Sequence, residues 1–118
     1  MSAFVFAILI ALLPALAQPA ADAEYVLRNN TLRCVRAPCP TVDATEVATG
    51  QLTRVAGIDI AAVAIDDERR GALMADLRAG CFVVAGRIER TGDRGAVFFV
   101  SRVVRRAPGG PPPRTKLP

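Results

Sequence analysis

LRAGCFVVAGRIERTGDRGAVFFVSRVVRR, residues 77–106, carries the strongest β signal in the chain and decides how the rest is read. Cys81–Arg90 and Ala96–Arg106 are rich in Val and Phe, and a five-residue connection with two glycines, Thr91–Gly95, joins them. Branched and aromatic side chains favour the pleated backbone, so the stretch predicts a long hairpin. Alternation puts Phe82, Val84, Gly86 and Ile88 on one face of the first strand, and Val97, Phe99 and Val103 on one face of the second. Gly86 in mid-strand predicts a bulge or a sharp bend.

Upstream of the hairpin stands a helix. Asp66 or Asp67 can cap its start, Asp67 and Glu68 place negative charge against the helix dipole, and Gly80 stands where a left-handed C-terminal cap is wanted. Leu73, Met74 and Leu77 share one face by their three- and four-residue spacing, while Arg69, Asp76 and Arg78 are expected to reach solvent. Further upstream, Glu24–Asn29 reads as a first strand and Asn29-Asn30-Thr31 as a turn. Thr41–Ala48 and Gln51–Ile60 follow as two more strands across a short Thr49-Gly50 connection, an antiparallel pair.

The resulting order is β-β-β-α-β-β. It predicts a mainly β domain: a small five-stranded antiparallel barrel or sheet with one packed helix. The order, and the run Leu77–Ile88 in which a helix ends at Gly80 and a strand passes through Gly86, resemble the OB-fold, a five-stranded Greek-key barrel. OB barrels that hold single strands of nucleic acid stack bases on aromatic side chains. Only Tyr25, Phe82, Phe98 and Phe99 are available after the N-terminal segment, three of them in apolar strands where they fill a core, so nucleic acid is not expected as a partner.

The 118 residues divide into four segments. Residues 1–17 read as a removable export signal: Ala3–Leu13 is unbroken apolar sequence, and Ala15-Leu16-Ala17 is the small-x-small pattern a signal peptidase cuts, with Ala21-Asp22-Ala23 as a second candidate. The apolar run falls short of the roughly 20 residues needed to span a bilayer as a helix. Residues 18–23 are a spacer, 24–106 form a single β-rich domain, and 107–118, APGGPPPRTKLP, predict a largely disordered Pro/Gly-rich basic tail. The chain is therefore expected to be secreted or periplasmic.

Composition narrows the chemistry. The formal charge is +4, but the six cations from Arg94 onward face no anion, whereas nine cations and 11 anions precede them. The body is slightly acidic and the end basic, which allows weak contact of Arg102–Lys116 with anionic surfaces. There is no His and no Trp, and the only serines are Ser2 and Ser101, which removes triads with a His base and His metal sites. The acids in Asp66-Asp67-Glu68 fit helix capping better than a cation site, and Asp43, Glu46 and Asp59 show no spacing that pairs carboxylates for acid/base work. No catalytic, cofactor-binding or metal-binding residue is assigned.

Cysteines carry what chemistry remains. Cys34 and Cys39 form a C-x4-C in an exported chain, most simply a local disulfide stapling the loop between the first two strands, with Arg36, Ala37 and Pro38 as the candidate interaction loop. Cys81, opening an apolar strand, reads as a buried thiol, although it could pair with either loop cysteine or join a three-thiol metal site that lacks a fourth ligand. Redox-active dithiols favour C-x2-C spacing at a helix start, and here Pro40 and a strand follow.

The segments Tyr25–Arg28, Arg33–Pro40, Val83–Ile88 and Phe98–Val100 together resemble a family of small secreted bacterial proteins classed as a domain of unknown function. That resemblance implies secretion and a fold, and no activity. The expected function is a non-enzymatic small β-domain binding an unknown protein partner or envelope ligand. The alternatives are a structural or inhibitory module presenting the Cys34–Cys39 loop, and an enzyme based on thiols or carboxylates.

Overall fold

The structure is a computed structural model that describes residues 22–115. Six strands and one helix follow in order: β1 (Ala23–Asn29), β2 (Val42–Glu46), β3 (Leu52–Val55), β4 (Gly57–Asp59), α1 (Asp67–Arg78), β5 (Phe82–Thr91) and β6 (Gly95–Arg106). A short 3-10 turn, Gly92–Arg94, links the last two. The expected export signal at 1–17, and the spacer at 18–23 up to residue 21, lie outside the described residues.

All strands join one sheet in the order β3-β2-β1-β5-β6-β4. Four of its pairings are antiparallel, and β4 runs parallel to β6. The sheet is mixed and is not closed, which corrects the expected five-stranded antiparallel barrel. The difference originates at Ala56. The segment expected as one strand over 51–60 bends there, and the Ala56 N–H turns to the Ala96 carbonyl at 2.7 Å. Its first half therefore completes β2's ladder while its second half pairs with β6. The two edges of the sheet are thus consecutive in sequence, separated by Ala56 alone.

The helix forms where its signals lie. Asp66 caps it, its carboxylate accepting from the Arg69 N–H at 3.0 Å, and Gly80 adopts φ +79°, the left-handed geometry for which glycine is suited. Leu73 and Leu77 are buried, with Met74 partly packed against the same core. Asp76, expected in solvent, is only 4% exposed. Thr115, beyond the Pro/Gly-rich stretch, is buried against it. The Ala107 N–H bonds the Cys81 carbonyl at 2.9 Å, so the chain beyond β6 turns back toward the helix end.

The core collects Leu27, Val42, Ala44, Val55, Leu73, Leu77, Phe82, Val84, Phe98 and Val100 between sheet and helix. Tyr25 meets Phe98 edge-on, centroids 5.0 Å apart, a favourable quadrupole arrangement. On β5 the predicted face is right. On β6 it is displaced: Phe98 and Val100 face the core with Val103 packed partly against it, whereas Phe99 is half-buried with the Arg87 guanidinium 5.4 Å above its ring. Register shifts leave Ser101 and Val104 as extra residues opposite β5. Each extra residue inverts the side-chain phase, so counting by two through them gives the wrong face. One shift lies beside Gly86, where an added Cβ would sit 2.1 Å from the Phe99 carbonyl oxygen; only glycine permits this approach.

Candidate functional site

The segment between β1 and β2 is built from its base upward. The Asn30 N–H bonds the Thr41 carbonyl at 2.8 Å, closing the loop across its neck. The Asn30 side chain then works in both directions: its amide donates to the Pro40 carbonyl and to Asp43 Oδ1, both at 2.9 Å, while its carbonyl oxygen accepts from the Leu32 N–H at 2.9 Å. Asparagine suits this position because one side chain supplies both donors and an acceptor. The sequence marked Asn30 only as part of a turn; its role as the neck of the loop became legible once strand pairing had brought Thr41 opposite it.

Above this neck, Cys34 and Cys39 form a disulfide with a Cα separation of 5.6 Å. Cys81 is free and buried. The local pairing expected from the C-x4-C spacing is therefore present, and Cys81 takes no part in it. Residues 33–38 are exposed, and Val35 is entirely so, at 102%. The peptide bond between Ala37 and Pro38 is cis. Of the candidate interaction residues, Arg36 and Ala37 lie in solvent, while Pro38 reaches down to Gly95, where an added Cβ would be 2.9 Å from Pro38 Cγ.

Pro38 divides two open clefts. One, about 320 Å³, has Pro38, Pro40, Ala56 and Ala96 in its wall with Arg54 and Arg90 at its margin. The other, about 470 Å³, has Ala37, Pro38, Ile58 and Val97 in its wall with Arg78 and Arg94. No carboxylate lines either one. Arg54 pairs with Asp43 at 3.7 Å and Arg94 with Asp59 at 3.8 Å, long contacts between exposed arginines and half-buried aspartates. Arg78 donates to the Asn29 side-chain oxygen at 3.2 Å. The four arginines come from β3, α1, β5 and the turn before β6, so no local motif could have announced them.

Such an arrangement is suited to anions rather than to acid/base chemistry, because a guanidinium stays protonated at any ordinary pH. Other carboxylates are engaged away from the clefts, and Asp59 has a second partner. Asp66 and Asp67 pair with Arg69 and Arg70 at the helix start at 3.4 and 3.3 Å, and Asp59 also accepts from the Ala61 N–H at 2.9 Å. Among the described residues no three His, Cys, Asp or Glu side chains converge as metal ligands. Burial first, and then the charge of Asp76, pushes the Cys81 thiol above its ordinary value, with Arg106 opposing. Among the described residues no helix is long and apolar enough to cross a membrane.

A third hollow lies at the far end of α1, between Ala75, Asp76, Ala79 and Cys81 on one side and Pro111, Pro112 and Arg114 on the other. It is the seam along which the C-terminal segment covers the helix.

The family model described as a domain of unknown function, DUF6748, matches residues 5–103, most of the chain and all six strands except the end of β6. No curated protein and no solved structure gives a significant match.

Proposed function

The chain belongs to the family described as Domain of unknown function (DUF6748), and on that footing we propose that it is a secreted or periplasmic, non-enzymatic β-domain that binds a protein partner through its stapled Cys34–Cys39 loop. One observation carries the reading: Val35, an apolar residue, stands wholly in solvent on a loop closed by a disulfide and pinned at its neck by Asn30. An isolated exposed valine means little, but a constrained one has already lost much of the freedom that binding would otherwise remove. The clefts on either side of Pro38 extend the surface that a partner can use.

Export is part of the proposal. A disulfide persists in an oxidising compartment, and residues 1–17 have the pattern of a cleaved signal. The non-enzymatic reading is supported by the engagement of Cys34 with Cys39, the burial of Cys81 and the all-arginine charge of the clefts. We also read the sheet as OB-like, because its edge strands β3 and β4 are one bent segment whose second half runs parallel to the last strand.

The test places a photo-crosslinking residue at position 35 in the exporting host, with exposed Asp67 on the helix as the control position. A defined adduct at 35, absent at 67 and lost when Cys34 and Cys39 are both replaced by Ser, is the expected result. No adduct at 35, or equal labelling at both positions, would overturn the reading.

A further inference from the structure

We propose that the face around the stapled loop recognises an acidic peptide segment of its partner, whose carboxylates enter the two clefts beside Pro38. This rests on the binding role just given and adds the chemistry of the partner. The fold brings four arginines, Arg54, Arg78, Arg90 and Arg94, to the margins of those clefts, and Arg33 and Arg36 stand exposed on the loop itself. Against these six cations, the ion pairs in the structure engage only Asp43 and Asp59. Among the described residues the side chains of Arg33, Arg36 and Arg90 make no ion pair or hydrogen bond. The two existing pairs are long, at 3.7 and 3.8 Å, and their arginines are exposed, so an incoming carboxylate can compete for the guanidinium groups.

Shape favours a peptide over a flat anionic surface. The clefts are concave, of about 320 and 470 Å³, and combine cationic margins with apolar walls of proline, alanine, isoleucine and valine. An extended chain turns every second side chain to one face, so its carboxylates can reach the arginines while its backbone and side-chain stems lie along the apolar walls. A bilayer would meet Arg33, Arg36 and Val35 at the loop tip without filling the clefts. This site is also separate from the basic C-terminal end, where Arg105 is already paired with Glu24 at 2.8 Å.

The experiment titrates the full secreted chain at low salt with the heptapeptide Glu-Val-Glu-Pro-Glu-Val-Glu, with its Gln-for-Glu counterpart, and with phosphatidylglycerol vesicles. The acidic peptide is expected to bind, with affinity falling as salt rises, and the neutral one to bind about tenfold more weakly or worse. Arg90→Glu combined with Arg94→Glu should abolish binding, while Arg102→Glu leaves it unchanged; Arg90→Gln, which breaks no ion pair or side-chain hydrogen bond, should give an intermediate loss and replaces the double variant if that fails to fold. Equal binding of the neutral peptide, or vesicle binding without peptide binding, would overturn this inference. A position-35 adduct that survives the Arg90 and Arg94 changes overturns it too while leaving the loop-binding role standing, whereas absence of that adduct in the unmodified background counts against the role itself.

Discussion

Asp76 on the helix is held by Thr115 near the end of the chain: its carboxylate accepts from the Thr115 hydroxyl, from the Thr115 N–H at 2.7 Å and from the Arg114 N–H at 3.0 Å. A buried carboxylate with three donors is well satisfied, and removing it leaves those donors, the buried Thr115 hydroxyl and N–H among them, without their partner. Asp76→Ala should lower stability by about 1–3 kcal/mol. Removal of residues 114–118 should cost a similar amount, and the two changes should be markedly non-additive in thermal melts, since each abolishes the same contact.

The same contact gives a pH dependence whose sign is fixed. Burial raises the Asp76 pKa, but the hydrogen bonds from Thr115 and Arg114, with the charge of Arg114, outweigh it and hold the carboxyl below its ordinary value. Its stabilising contribution is therefore complete above the unfolded carboxylate value of about 4 and is lost as pH falls below it. Proteolytic cleavage within 107–115 should accelerate in that acid window for the wild type. In Asp76→Asn the acceleration should be absent, and if the variant shows the same acid response, another group controls the segment.

Opening the staple should loosen the loop and spare the sheet. Cys34 and Cys39 are five positions apart, so the chain-entropy formula gives the disulfide about 2 kcal/mol. Replacing both with Ser should reduce the melting temperature accordingly while the far-ultraviolet circular dichroism is unchanged, because no strand of the sheet runs through residues 30–41. Loss of β signal in that variant would show that the loop organises the β1–β2 pair.

Gly86→Ala should damage folding far more than an ordinary strand substitution. The new methyl would lie 2.1 Å from a backbone oxygen and 2.7 Å from the Phe98 ring, so β5 and β6 would have to separate where the hairpin is bulged. A loss of about 3 kcal/mol or more is expected in denaturant titrations. Gly71→Ala, on the exposed side of α1 with nothing near the added atom, should instead be neutral or stabilising.

Cys81 should be unreactive in the folded protein. The residue is 2% exposed, and the thiol's pKa is raised by burial and by Asp76. Iodoacetamide should therefore modify no cysteine of the native oxidised chain, one after unfolding, and three after unfolding with reduction, as read by intact mass. Labelling of the native chain at Cys81 would show that the segment covering it opens readily.

What the sequence determined by itself are the features set within a few residues of the chain. Asp66 and Gly80 end the helix because a cap needs only its own turn, Cys34 meets Cys39 because five residues can scarcely keep them apart, and the Val- and Phe-rich runs become strands wherever they pair. The tertiary structure decided whatever depends on a distant partner. Ala56 splits one expected strand because β6 competes with β2 for the backbone groups on either side of it. The faces of β6 are set by residues left over when it pairs with β5, and Asp76 is buried by a segment nearly forty positions away. The arginines of the clefts lie on four separate elements, so their convergence is a property of sheet order, which hydrophobic periodicity and local capping do not encode.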